Sequence, residues 1–497
     1  MALEDIFNIA VRHQHDGRFS EAERLYRQIL VELPAAEIFN NLALVLQSQG
    51  RVEEALEAFG RAVDVRSDYV QGYLNLGHLL MKLGRFSDAA PPLKRALDLN
   101  PGSFDALNAL GTVSLELDDT RSAIALYQRA LDLNPASIEA LNNLGVALQR
   151  LGRLTEAVSV FQRALDKDEK NLEVAHNLAG ALIAQKMFDE AISILRDVVK
   201  REPGFSAAVG SLGTALKETG DIDSAIACYR KSLAISPDLG TTCNLVYATH
   251  FHGGFDVAAI RAEHDRFNRD YGLPLAGERL PHTNDRDPNR RLRVGYVSPD
   301  FRFHSVGRFM LPLLKNHNRD QFTIVCYDNA RQPDTMTRRI RDQSNVWREV
   351  SSLSDNQLTS LIREDEIDIL IDLTAHMDRN RMLVFARKPA PVQITYLAYC
   401  STTGLETMDY RISDPYLDPA DRSPDAYVEQ TLTLPSTYWC FEPVNDAISP
   451  APLPMLQNGH VTFGCLNNFA KVTPQTLDAW FELLHRVSRS KCNCLAP

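Results

Sequence analysis

Three side chains able to meet a bound ligand stand in loops rather than in apolar runs: His304, His376 and Lys471. His304 closes the string Ser298-Pro-Asp-Phe-Arg-Phe-His304, and His376 lies in Asp372-Leu-Thr-Ala-His376-Met-Asp-Arg-Asn-Arg381. Lys471 ends Asn467-Asn468-Phe-Ala-Lys471, with Asn468 in the same loop. Each string follows an apolar, strand-like run, and loops at the carboxyl ends of parallel strands are where such sheets bind ligands. Each residue also has a plain structural role open to it. His304 could cap a helix beginning near Ser305, His376 could be a hydrogen-bonded structural histidine, and Lys471 a solvated charge before a helix. Asp300 fits a turn and Asp372 a helix start. The pairs Asp221/Asp223 and Asp285/Asp287 have metal-ligand spacing, but neither follows a strand, and Cys492/Cys494 are too close for a zinc knuckle. No metal is expected.

A fourth set is periodic. Asn41, Asn75, Asn143 and Asn177 recur at one position of a repeat, with Ala109 and Ser211 interrupting the series. An amide both donates and accepts, so such a ladder can grip the backbone of an extended peptide without reading its side chains. The plain alternative is that these amides bond only to neighbouring helices.

The elements that must position these residues fall into two regions. In the first, Gly17, Gly50, Gly84, Gly152 and Gly220 share a register whose gaps are filled by Asp118, Lys186 and Gly254; every step is 34 residues except the first, which is 33. A second comb of the same period runs from Ala22 through Ala55, Ala89, Ala123, Ala157, Ala191 and Ala225 to Ala259. Glycine at the turn supplies a left-handed cap, the alanine allows close helix packing, and Pro101, Pro135, Pro203 and Pro237 stop second helices. Gly77, Gly111, Gly145 and Gly213 recur where paired helices approach. Tyr26, Phe59, Leu93, Tyr127, Phe161, Leu195 and Tyr229 fill the position four after the alanine, one turn on. This is the tetratricopeptide pattern: an α superhelix over residues 3–273, with seven repeats and a degenerate eighth.

The second region follows a Pro- and Asp-rich linker at 274–291. Strand-like runs at Leu292–Val297, Phe322–Tyr327, Ile367–Leu373 and Val392–Leu397 alternate with helical segments Val306–Leu314 and Asp355–Arg363. That alternation predicts a parallel α/β sheet covered on both faces, here a lobe over 292–445. A further strand (Val461–Leu466) and helix (Pro474–Val487) open a second lobe at 459–497.

The loop strings quoted above, with Pro389-Ala-Pro-Val-Gln393-Ile-Thr-Tyr-Leu-Ala-Tyr399-Cys-Ser-Thr-Thr-Gly404 and Phe463-Gly-Cys-Leu-Asn467, occur in order. Together with the repeat array they resemble glycosyltransferase family 41, the O-linked N-acetylglucosamine transferases and plant SPINDLY proteins. The resemblance implies a repeat superhelix joined to a two-lobed GT-B transferase. The implied reaction moves a sugar from a UDP or GDP donor to a Ser or Thr hydroxyl of a protein held by the repeats, without a metal. It assigns His304 to the acceptor and donor side and Lys471 to the donor diphosphate, where a cation offsets leaving-group charge. It places Asn468 in the nucleotide-facing loop and His376 where bacterial and plant members often carry Gly-His-Thr. The simplest donor is UDP-N-acetylglucosamine; GDP-fucose is the alternative, and a peptide-binding scaffold with an inactive transferase region is a reading of another class.

The chain departs from the family in two places. Family members usually show Leu-Gly-Tyr-Pro-Gly-Thr-Thr-Gly where this chain has Leu397-Ala-Tyr399-Cys-Ser401-Thr-Thr-Gly404. A left-handed backbone at Ala398 or Ser401 would cost roughly 1 kcal/mol each. Residues 459–497 offer one βα unit and the beginning of another, so the second, nucleotide-binding lobe reads as C-terminally truncated and the chain's own activity as impaired.

Bulk properties agree with two or three globular domains. The 497 residues are 44% hydrophobic and 24% charged. A net charge of -11 disfavours general attachment to nucleic acid or anionic membrane. Met1–Ile9 lacks the layout of a signal peptide, and no apolar run approaches the roughly 20 residues of a membrane span, so a cytoplasmic protein is expected. Cys228, Cys243, Cys326 and Cys465 read as reduced core residues.

Overall fold

The computed structural model describes residues 3–287, 289–399, 401–419, 424–443, 451–467 and 471–494. They divide into two compact units, residues 1–187 and 188–497.

The first unit is all helical. Five helix pairs run from Leu3–His15 with Phe19–Glu32 to Ile138–Arg150 with Leu154–Leu165, followed by the helix Leu172–Ala184. The turn comb takes the conformation its residues suit: Gly17, Gly50, Gly84 and Gly152 have φ between 70° and 80°, and the substitutes Asp118 and Lys186 both sit at 65°. The large residue of each second helix is buried against the small residue of the first. A Cβ built on Gly111 would lie 2.6 Å from the Tyr127 ring, and one on Gly145 would lie 2.5 Å from Phe161. Glycine is therefore needed for the room it leaves, and the ring fills that room at close to crystal-like packing density.

The second unit begins with Phe188–Arg201, continues through the seventh pair (Ser206–Glu218, Ile222–Ile235) and the eighth (Leu239–Thr249, Val257–Phe267), and then enters the sheet. Seven parallel strands follow: β1 Leu292–Ser298, β2 Phe322–Asp328, β3 Val346–Glu349, β4 Ile369–Asp372, β5 Val392–Thr395, β6 Tyr410–Ser413 and β7 Gln430–Thr433. Their order is β3-β2-β1-β4-β5-β6-β7, so the winding direction reverses between β1 and β4. Alternate residues serve opposite faces, as strand geometry demands. Val294, Tyr296, Ile324 and Cys326 pack with Phe301, Met310 and Leu314 on one face. Val297, Val325, Tyr327 and Leu370 pack with Leu358, Ile362 and Phe385 on the other.

That second face also holds Cys243, Val246 and Phe267. The eighth pair is thus a covering layer of the sheet, and the unit boundary falls inside the repeat array rather than after residue 273. The stretch expected as a linker is tied down instead of spacing. Arg279 bonds the Ala386 carbonyl (3.1 Å) and Glu406 (2.7 Å), while Asn284 and Arg290 both bond Asp368 (2.8 and 2.7 Å). Of the four expected core thiols, Cys243 and Cys326 are buried, but Cys228 and Cys465 are only half-buried.

β8 Thr462–Cys465 and β9 Lys491–Cys494 form a two-stranded parallel sheet, with the helix Pro474–Arg486 between them in sequence. No residue of that helix is buried. No described helix is long and apolar enough to cross a membrane.

Candidate functional site

Two of the three candidate loops leave adjacent strands at the reversal of the sheet, one after β1 and one after β4, which is where such folds form a crevice. After β1, Ser298 turns the chain by accepting the Asp300 N–H at 3.0 Å. His304 then caps the helix Ser305–Lys315: its extended backbone (φ -141°, ψ 161°) aims Nδ1 at the Val306 N–H, 3.3 Å away. Asp300 Oδ2 lies 3.5 Å from the same Nδ1. The first contact needs the lone pair of Nδ1 and the second its proton. Nδ1 can serve only one of the two at a time, and the backbone contact is the shorter. His304 therefore performs the capping role that was its plain alternative, with the side chain still about one-third exposed (35%).

After β4, the buried Asp372 organises the next loop. It accepts the N–H groups of Thr374 (3.2 Å) and Ala375 (2.7 Å) and the hydroxyl of Thr395 (3.2 Å). Burial pushes its carboxyl up to about 6, and these hydrogen bonds hold it from rising further. It builds a turn rather than starting a helix. Ala375 sits at φ 45° and delivers His376 inward, where it is 2% exposed.

His376 Nε2 donates to the Thr403 carbonyl at 2.7 Å, which leaves Nδ1 as a lone pair. Among the described residues that Nδ1 has no hydrogen-bond partner. Burial pushes the imidazole down to about 4, so the ring is neutral near pH 7. Phe267 stands edge-on at 4.5 Å, and the rings of His264 and Tyr399 lie at 5.1 and 5.6 Å.

The eighth helix pair supplies the surroundings that sequence reasoning missed. His264, fully buried, donates from Nδ1 to the Ile260 carbonyl (2.8 Å), so its Nε2 accepts the Tyr399 hydroxyl at 2.9 Å. With that proton committed, the Tyr399 oxygen receives His250 Nε2–H at 2.8 Å. Burial holds His264 well below the ordinary histidine range and Tyr399 well above that of tyrosine. The only sequence signal is that His250 and His264 fall in the degenerate repeat.

A cavity of about 330 Å³ is lined by Lys217, Glu218, Tyr247, His376, Asp378 and Lys471, among others. It brings His376 and Lys471 together; His304 is not among its lining residues. Lys217 is buried, with Nζ 2.8 Å from Glu218 and 5.4 Å from the centre of the Tyr247 ring. Asn468 lies outside the described residues. The loop 397–404 differs from expectation: left-handed backbone falls on Leu397 (φ 82°) and Gly404 (φ 78°), not on Ala398 or Ser401. A Cβ on Gly404 would meet the His264 carbonyl oxygen at 2.5 Å, so glycine is required there twice over.

The amide ladder is half-buried and bonded within the array. Asn75, Asn143 and Asn177 donate to Asn40 (2.8 Å), Asn108 (3.2 Å) and Asn142 (2.9 Å) of the preceding repeats. Asn41 stands beside Tyr26, whose hydroxyl donates to Gln14 at 2.7 Å. The donors of Asn75, Asn143 and Asn177 thus serve the neighbouring helices, as the plain reading has it. Asp221 caps the Ser224 N–H (3.2 Å), Asp223 pairs with His252 (2.6 Å), and Asp285 accepts the Asp287 N–H (3.0 Å). Among the described residues, no group of three potential ligands could hold a metal ion.

Comparison with known proteins finds matches in the repeat region and in the sheet region. The model of glycosyl transferase family 41 matches residues 258–445, and tetratricopeptide repeat models match stretches between 34 and 239. The solved structure of a point mutant of Thermobaculum terrenum O-GlcNAc transferase superposes with a TM-score of 0.67 at 33% identity, covering 72% of this chain and 68% of that one. A probable UDP-N-acetylglucosamine–peptide N-acetylglucosaminyltransferase SPINDLY of Oryza sativa subsp. japonica is 34% identical over 275 residues, 54% of this chain. Its Arabidopsis thaliana counterpart is 37% identical over 254 residues, 50% of this chain. These matches span 29% and 27% of the two plant proteins.

Proposed function

The chain belongs to glycosyltransferase family 41, and from that premise we propose that it is a protein O-glycosyltransferase carrying N-acetylglucosamine from UDP-N-acetylglucosamine to Ser or Thr hydroxyls of proteins held by its repeats. The observation that carries the reading is the single cavity shared by His376 and Lys471. In it Lys471 sits on the side of the donor diphosphate, where a fixed cation offsets the negative charge that grows as the glycosidic bond breaks. His376 orients a hydroxyl. With its carbonyl-bound Nε2 and a value pushed to about 4, it is a poor proton acceptor at neutral pH but a rigid hydrogen-bond acceptor through Nδ1. Lys471 takes the charge that a divalent cation takes in other transferases, so the proposed transfer runs without a metal. His304, at the helix cap after β1 and outside the lining of that cavity, is assigned to the acceptor side by the family resemblance.

The donor choice rests on the names of the two plant relatives and of the solved bacterial structure. The half-buried amides Asn41, Asn75, Asn143 and Asn177 are proposed to offer their carbonyl oxygens to the backbone of a substrate peptide.

Titration calorimetry of the whole chain with UDP-N-acetylglucosamine and with GDP-fucose, alongside transfer of labelled sugar to an acceptor protein in EDTA, tests the reading. Selective binding of the UDP sugar is expected, weakened about tenfold or more by Lys471→Met. Selective binding of GDP-fucose would move the assignment to fucosyl transfer. Peptide capture with neither donor bound would leave a scaffold.

A further inference from the structure

The residue that fixes His376 is not its neighbour but a carboxylate 53 positions on. Glu429, the residue before β7, is 5% exposed, and among the described residues no cation pairs with it. Its Oε1 accepts the Thr403 N–H at 2.7 Å and also the Thr403 hydroxyl, while Oε2 accepts the Thr402 hydroxyl at 2.7 Å. The two threonine oxygens are themselves occupied. Thr402 Oγ1 receives the Gly404 and Val428 N–H groups, each at 3.1 Å, and Thr403 Oγ1 receives that of Leu405 at 3.3 Å. Backbone donors occupying both hydroxyl oxygens leave each hydroxyl proton directed at Glu429. The pocket therefore asks for a group with two acceptor atoms and no donor, which an ionised carboxylate satisfies and an amide does not.

What the carboxylate holds, through the N–H and the hydroxyl of Thr403, is the residue whose carbonyl His376 leans on. Thr403 is completely buried, and its carbonyl is the acceptor of His376 Nε2–H at 2.7 Å. On the other side, Gly404 is pressed against the His264 carbonyl, so the turn is gripped between β7 and the second helix of the eighth pair. With Nε2 committed, Nδ1 is a buried lone pair without a hydrogen-bond partner among the described residues, on a residue that lines the cavity.

We propose that Glu429 is a positioning residue that, through Thr402 and Thr403, fixes the ring orientation and tautomer of His376 at the transfer site. The relevance to transfer rests on the function proposed above; the orientation of the ring does not.

The test therefore reads both. In the full chain labelled with ¹⁵N-histidine, the hydrogen-bonded Nε2–H of His376 should give a solvent-protected proton resonance, assigned by its loss in His376→Gln. Glu429→Ala should broaden or abolish that resonance. Glu429→Gln keeps an acceptor for Thr403 but turns a donor toward Thr402, and should speed exchange by about tenfold, with kcat for sugar transfer falling while donor affinity holds. Arg290→Ala, which cuts the Asp368 clamp elsewhere on the sheet, should leave the resonance in place. If Glu429→Ala does not fold, Glu429→Gln is the deciding variant. An unchanged Nε2–H signal in the folded Glu429 variant overturns the inference whatever the activity. A lost signal with unchanged kcat upholds the positioning of the ring and overturns the role given to His376 in transfer.

Discussion

The seventh and eighth helix pairs stand in consecutive places of one 34-residue register, yet their packing is inverted. In the seventh, Gly213 of the first helix leaves a notch that the Tyr229 ring of the second helix fills; a Cβ on Gly213 would lie 2.9 Å from that ring. One period later the small position holds Tyr247 and the large position holds Glu263. The ring now comes from the first helix and turns outward, 4.9 Å from Phe251 and 6.1 Å from Tyr399. Glu263 is bonded to Arg230 at 3.1 Å instead of filling a notch. What the second helix offers inward is His264, to the Tyr399 hydroxyl, and Phe267, to the His376 ring. The same backbone plan that closes on itself in the seventh pair has been opened in the eighth to cover a sheet and line a cavity.

The comparison can be broken at the joint each pair depends on. The largest effect should come from Gly404→Ala. Its φ of 78° and the His264 oxygen 2.5 Å from any Cβ combine backbone strain with a clash against main chain that cannot rotate away. A loss of about 4 kcal/mol is expected, visible as a separate early transition in thermal unfolding.

Next is the acid sensitivity of the eighth pair's neighbour His376. Above about pH 6.5 neither folded nor unfolded chain binds its proton; between about 6.5 and about 4 only the unfolded chain does. Stability therefore falls as pH drops through that window and levels off below it, a change of about 3 kcal/mol. Asp372, raised to about 6, and Asp328, raised to about 7, act in the opposite direction, because folding helps them keep a proton. The measurable quantity is thus the difference between denaturation curves of the parent chain and His376→Gln at pH 4.5 and 7.5. An equal pH slope in both would remove the histidine from the account.

The smallest effect should be Gly213→Ala in the seventh pair. Here the two nearest obstructing atoms belong to the Tyr229 side chain, which can shift, and the Ala225 carbonyl oxygen lies farther off at 3.1 Å, so about 1–3 kcal/mol is expected by denaturant titration. A cost matching that of Gly404→Ala would erase the distinction drawn between the two joints.

Legibility in the sequence follows the same line. The array is readable because one physical requirement is repeated every 34 residues: a left-handed turn, a small residue and a large apolar one. Even the substitutes Asp118 and Lys186 keep to the turn register, where both have φ 65°. Strands β1, β2, β4 and β5 and the loops carrying His304 and His376 are readable from apolar runs and their resemblance. β3, β6 and β7 are not, since charged or polar side chains such as Arg348, Arg411 and Gln430 interrupt their apolar residues. The surroundings of His376 leave no local trace. Tyr399 meets His250 and His264 across 149 and 135 positions, and Glu429 reaches Thr403 across 26. Such contacts depend on strand order, which no spacing encodes. The amide ladder is visible as a pattern, but its donors are engaged by neighbouring repeats in a way that periodicity alone does not decide.

The notch and the ring of each regular repeat lie within the same 34 residues, Gly77 with Leu93, Gly111 with Tyr127, Gly145 with Phe161. Gene segments encoding one period therefore carry both halves of a joint, and losing or duplicating one leaves no orphaned cavity and no homeless ring. The number of such periods is free to drift over evolutionary time. The eighth pair has no such freedom, because its complementary surface is written more than a hundred codons away.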